Sequence, residues 1–164
     1  MNRKDKSDMI EEYKGDMILI DRLAEFIFPD NNICMQWNDG ESISLEDISD
    51  AISCSYLEES TPFGDHWKHK VMEPKSIEWH ISRVIYFINH PDEIKNIEID
   101  NLSNGMEIFP IPIIDDGNHR FLAAMYLHKK ELMDKIHCMY GGRQDLLAYL
   151  SGKTDEYPDD FERD

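Results

Sequence analysis

Between Ile111 and Leu127 the chain reads IPIIDDGNHRFLAAMYL, and its hydropathy pattern changes character in the middle. An apolar run ends at Asp115, Asp116 and Gly117, and small and apolar residues then carry a helix from Phe121 onward. A strand that runs through a glycine turn into a helix is the building unit of an α/β domain, which is the fold class this stretch imposes. The order places His119 and Arg120 on the first helical turn. The N–H groups there have no intrahelical partner, and the positive end of the helix dipole favours an anion. A guanidinium and an imidazole at the same place sharpen that preference, and phosphate oxygens match a forked donor best.

The rest of the chain is consistent with a small mixed sheet with flanking helices. Apolar residues at Met9, Ile10, Tyr13, Met17, Ile20, Leu23, Ala24 and Ile27 predict one helix over 9–28, closed by Pro29 to Asn32. Ile33–Trp37 reads as a short strand followed by an Asn38-Asp39-Gly40 turn. Ser44 and Asp47 have capping-box spacing ahead of a helix with Leu45, Ile48, Ile52 and Leu57 inside. Residues 58–74 lack periodicity and read as a loop. Ser76 caps a second helix that runs to Asn89 before Pro91, with Ile77, Ile81, Val84, Ile85 and Ile88 buried and His80, Arg83 and Phe87 on a neighbouring face. Strands follow at 97–102, at 107–114 (an edge or bent position because of Pro110 and Pro112) and at 133–140. The Asn104-Gly105 and Gly141-Gly142 pairs are expected turns, and a last helix spans 143–150. One domain over 1–154 is expected, with a helical part over 1–58, a core over 60–152, and an acidic tail over 155–164.

Charge narrows the class of partner. The formal net charge is −17, opposite in sign to what a protein living on a nucleic-acid backbone carries. Six of the last ten residues are acidic against Arg163 alone, yet the body is acidic without them. Solubility accounts for this, and so does mimicry of nucleic-acid charge toward a protein partner with a basic surface. The three cysteines, Cys34, Cys54 and Cys138, are odd in number and widely spaced, which argues against a disulfide framework and for a reducing cytoplasm. No apolar run reaches membrane-spanning length, and the first residues lack a signal peptide's apolar segment, so no membrane partner is expected.

Asp116, Gly117, Asn118, His119 and Arg120, followed by Ala123 and Ala124, resemble the turn of the ParB/sulfiredoxin superfamily, whose Gly-x-His-Arg residues grip a nucleotide phosphate. EWHISRVIYFINHPDEI (Glu78–Ile94) and KIHCMYGGRQDLLAYLSG (Lys135–Gly152) extend the resemblance to a ParB-like subfamily with a WHxxRI-type helix before a DGNHR turn. The resemblance covers residues 60–152 and is most specific at the turn. It implies a nucleoside phosphate as ligand, ATP or CTP with Mg²⁺, and hydrolysis, phosphoryl transfer or nuclease activity as possible chemistry. Sulfiredoxins hold their catalytic cysteine where this chain has Asn118, so sulfinic-acid reduction does not carry over.

The individual residues read as follows. His119 and Arg120 hold phosphate oxygens, and Gly117 and Asn118 offer backbone donors, Gly117 because the chain must turn sharply there. Asp116 either orients His119 or Arg120 or holds Mg²⁺ bridging to the phosphates, while Asp115 is a cap or a solvated residue. His80 and Arg83 form a second wall of the pocket, or Arg83 pairs with Glu78 or Asp116 and holds helix to turn. Glu78 is a candidate general base, or it complements the helix dipole. His66 and His69 have a His-x-x-His spacing without a third ligand, and their segment with Trp67 and Lys68 reads as a lid or a plain loop. Cys138 is expected to be buried and inert. Three functions follow: a nucleotide-phosphate-binding protein, a nuclease or DNA-binding module disfavoured by the charge, and an acidic, non-enzymatic interaction or inhibitor protein.

Overall fold

Alternation of inward and outward residues builds the centre of the sheet. Ile97, Ile99 and Asn101 are buried on one strand, and Ile136, Cys138 and Tyr140 are buried on its neighbour, so both present one face to the core. In the computed structural model, which describes residues 10–27, 32–34, 42–55, 57–59, 76–103 and 107–158, the elements run in the following order. Strand β1 (Ile10–Leu19) leads directly into helix α1 (Ile20–Ile27). Short strands β2 (Asn32–Cys34) and β3 (Ser42–Ser44) pair with each other, and β3 feeds helix α2 (Leu45–Cys54). Helix α3 (Ile77–Asn89) ends in a single 3₁₀ turn at Pro91–Glu93. Then come β4 (Ile97–Ser103), β5 (Glu107–Asp116), α4 (Asn118–Lys129), β6 (Lys135–Arg143) and α5 (Gln144–Leu150).

The main sheet has the order β1-β6-β4-β5. β1 runs antiparallel to β6, β6 parallel to β4, and β4 antiparallel to β5, so the sheet is mixed and the fold is α/β as expected. Helices α1, α4 and α5 lie against the sheet, α3 packs on α4, and α2 rests on both of these. β5 is an edge strand with two register shifts, in keeping with Pro110 and Pro112. The Ser44–Asp47 capping box is present in both directions, at 2.8 and 3.1 Å, and Ser76 Oγ accepts the Trp79 N–H at 3.2 Å. In α2 Leu45 and Ile48 are buried and Ile52 is half-buried, whereas Leu57 lies beyond the helix end. No described helix is long and apolar enough to cross a membrane.

Several expectations are corrected. The one helix expected over 9–28 is replaced, in the described residues 10–27, by strand β1 followed by a helix at Ile20–Ile27, and the part over 1–58 expected to be helical carries β1, β2 and β3 beside α1 and α2. The apolar spacing of this segment suits both readings, and the long ladder with β6 decides between them. Ile18 faces Ile136 inward, and a Cβ on Gly15 would sit 2.8 Å from His137 Nε2, so that position suits a residue without a side chain. Gly141 and Gly142 belong to β6 and do not form a turn. At Gly142 (φ +151°) a Cβ would fall 1.4 Å from Asn101 Oδ1, and this oxygen accepts the Arg143 N–H at 2.8 Å and the Tyr140 hydroxyl at 3.2 Å. β6 begins at Lys135, not Met133, and α4 begins at Asn118, three residues before Phe121. The Asn38–Gly40 and Asn104-Gly105 turns, and most of the 58–74 loop, fall outside the described residues.

The acidic tail does not start free at residue 155. Arg22 donates to the carbonyls of Tyr149 (2.6 Å) and Thr154 (2.7 Å) and pairs with Asp155. Tyr157 stacks on Phe26 with ring centres 5.5 Å apart, and Pro158 is buried. Residues 155–158 are therefore part of the packed body.

The Gly142 site gives a direct stability test. Gly142→Ala should cost roughly 2–4 kcal/mol, since the methyl group displaces Asn101 and breaks its buried hydrogen bonds. Denaturant unfolding measures this, and a loss below about 0.5 kcal/mol would contradict the packing described.

Candidate functional site

The turn between β5 and α4 is set by Gly117. Its φ of +110° is left-handed, and an added Cβ would meet Ile97 Cγ1 at 3.0 Å, so both conformation and space select glycine. As the N-cap it has no side chain to accept the first N–H groups of α4, while its carbonyl takes the Phe121 N–H at 2.8 Å.

Arg120 reaches back from the first turn of α4. It donates to the Lys95 carbonyl at 2.6 Å and lies 3.2 Å from Asp116 Oδ2. Of the two roles open to Asp116, the geometry displays the orienting one: the carboxylate holds a guanidinium, with 70% of its own side chain exposed. Among the described residues no three His, Cys, Asp or Glu side chains gather as a metal site. Asp116 beside a guanidinium is a poor anchor for Mg²⁺, so a protein-held cation does not fit these donors.

His119 points to α3. Its Nε2 lies 2.8 Å from His80 Nδ1, and the two rings stack at 5.1 Å with planes 16° apart. Trp79 stands edge-on to both rings, at 4.8 and 5.9 Å, and the Arg83 guanidinium lies 3.9 Å over the Trp79 ring. His80 is fully enclosed, and Arg83 is buried at 4% exposure. This arrangement follows from helix geometry: Trp79 and Arg83 are four residues apart on one face, and His80 lies beside them. Burial, aided by the charges of His80, Arg83 and Arg120, pushes His119 down to about 3. Burial alone lowers Arg83 to about 10, so it remains a cation at neutral pH. The site thus holds two guanidinium groups and a neutral imidazole in an otherwise acidic protein.

The structure brings together Asp116, Gly117, His119, Arg120, His80 and Arg83. Asn118 is half-buried on the first turn of α4. Glu78 is not brought to the cluster: it is exposed, two positions from His80 and so about 200° around the helix. Asp115 is exposed. His66, His69, Trp67 and Lys68 lie outside the described residues. Trp79 was visible only as part of the WHxxR spacing, and the direct His80–His119 bond had no signal in the sequence. At the second strand–helix junction Arg143 pairs with Asp145, which ties it to its own helix. Cys138 is buried as expected, and desolvation pushes its thiol up to about 12.

The His119 environment sets a pH dependence. An unfolded histidine titrates near 6.5, whereas folded His119 does so near 3, so between these values the unfolded chain binds more protons. The stability tied to this residue is intact above about pH 6.5 and is lost as pH falls toward 3. Thermal melts from pH 7 to 4 should show a shallower decline for His119→Gln, whose amide reaches the Nε2 position without titrating. Identical slopes for the two proteins would contradict the assignment.

Comparison with family models, curated proteins and solved structures returned no match for this chain, and its functional reading therefore rests on the residues of this site.

Proposed function

We propose that this ParB/sulfiredoxin-like chain binds the phosphates of a nucleoside triphosphate, ATP or CTP, at the β5–α4 turn. The observation that carries the reading is the meeting of a glycine-capped helix N-terminus with Arg120, Arg83 and His119 in one place. Backbone N–H groups at such a terminus recognise phosphate oxygens, and guanidinium groups add fixed, forked donors. Arg120 is already oriented by Lys95 and Asp116, so little further ordering is needed when a ligand arrives. The resemblance of Asp116–Arg120 to the superfamily's phosphate-gripping turn supports the same ligand class.

Mg²⁺ in this reading arrives on the phosphates of the nucleotide, since Asp116 is engaged by Arg120. Where hydrolysis or phosphoryl transfer follows, Arg83 and Arg120 supply positive charge to the transferred group, which is the largest catalytic contribution in such reactions. His119, held neutral at physiological pH by its burial, contributes an uncharged, hydrogen-bonding imidazole there.

Calorimetric titration with ATP, CTP, GTP and ADP, with and without Mg²⁺, tests the proposal. Saturable binding should be weakened at least about tenfold in Arg120→Ala, a loss of roughly 1.4 kcal/mol or more from one charge-assisted contact. Unchanged affinity in a folded Arg120→Ala protein would remove the turn from the binding site.

A further inference from the structure

Arg120 and Asp116 form an unequal pair. The guanidinium is mostly covered, and its Nη1 donates to the Lys95 carbonyl at 2.6 Å, so it is held in place with or without a carboxylate beside it. Asp116 reaches Arg120 Nη2 at 3.2 Å from a side chain that is 70% exposed, and this is the one ion pair of its carboxylate among the described residues. The β4–β5 ladder sets Glu98 directly opposite Asp116, and a like charge at that position weakens the hold on the carboxylate. The nitrogen that Asp116 takes is the one nearest the turn, since a Cβ on Gly117 would lie 3.2 Å from Arg120 Nη2. An anion seated on the first-turn N–H groups of α4 therefore meets Arg120 at a nitrogen that a carboxylate already occupies.

We infer that Asp116 is an internal counter-ion of Arg120 which the ligand displaces, and that it confines the turn to anions carrying two or more charges. The inference rests on the phosphate-binding reading of the turn and adds the class of anion that the site accepts. The exchange costs little on the protein side, because an ion pair with one exposed partner is weak and the released carboxylate turns into water. The guanidinium keeps its bond to Lys95 throughout and needs no reorientation. A free carboxylate offers Arg120 the same kind of oxygen as Asp116 does. It lacks the tether that keeps Asp116 at high local concentration, and so it loses the competition. A phosphate group brings more charge and a third oxygen for the N–H groups of the turn, and so it wins. Without Asp116 the distinction disappears, and the site is open to singly charged anions as well.

Calorimetric titration of the full chain with pyrophosphate, free of Mg²⁺ and at about 0.15 M salt, tests the exchange. Asp116→Asn should bind pyrophosphate roughly three- to fivefold more tightly than the unsubstituted protein. Glu98→Gln removes the same charge one strand away and measures the through-space share, which screening holds below about twofold. Acetate, added against an equal concentration of chloride, should compete with pyrophosphate in Asp116→Asn and not in the unsubstituted protein. Asp116→Glu restores the charge and should exclude acetate again. Unchanged or weakened affinity in Asp116→Asn, an equal gain in Glu98→Gln, or acetate competition in the unsubstituted protein overturns the inference and leaves the phosphate reading standing. Failure of both pyrophosphate and ATP to bind any of these proteins overturns both. Asp116 is exposed, so its substitution should leave the fold intact, which a thermal melt checks. The acetate measurement on the unsubstituted protein stands without any variant.

Discussion

One guanidinium holds the turn region together. Arg120 starts on the first turn of α4, caps the carbonyl of Lys95 where the chain enters β4, and pairs with Asp116 at the end of β5. The three segments meet beside Gly117, which adopts a left-handed conformation over Ile97, and the β4–β5 ladder pairs Glu98 with Asp116 at the same place. Everything else at the site is placed from this junction. The direction of α4 brings His119 against α3, and the registers of β4 and β5 are closed by the same contact. A surface ion pair would be worth little, but Arg120 is mostly covered and anchored to a backbone carbonyl, so its orientation is fixed by more than one bond.

The acidity of the chain acquires a structural meaning at this point. A net charge of −17 repels phosphates at long range, and the cationic cluster stands out against that background. Arg83 is buried over Trp79 and remains charged at neutral pH, at a desolvation cost that the cation–π contact offsets in part. Charge at the turn is thus presented by rigid, enclosed groups, unlike the diffuse basic surface of a nucleic-acid binder.

The elements whose local signals agree were legible in the sequence. The Ser44 capping box, the Ser76 cap, the break at Pro91 and the edge position of β5 each follow from one or two residues with a specific backbone role. The turn at Gly117 was legible for the same reason. Residues 9–28 were misread because their apolar spacing suits both a helix and a strand, and only pairing with β6, far along the chain, separates the two. Gly141 and Gly142 were misread as a turn because the need for glycine comes from Asn101 on a neighbouring strand. At the site, residue types were readable but their partners were not. His80 and His119 lie 39 residues apart, and no local pattern announces a bond between them.

The placement of β1 has a consequence for how the chain acquires its structure. Among the described residues its one neighbour in the main sheet is β6, and α1 is tied to the end of α5 through Arg22 and Tyr149, which lie 127 residues apart. During synthesis the first strand therefore emerges long before its partner exists. Until Lys135–Arg143 has left the ribosome, β1 is an unsatisfied edge, open to pairing with another chain. Such non-local closure slows folding, because the loop entropy must be lost before the ladder forms. The charged residues Glu11, Glu12, Lys14 and Asp16 within β1 oppose association of the strand with copies of itself during that interval. The same charges that make the chain so acidic thus serve its assembly before they serve the folded protein.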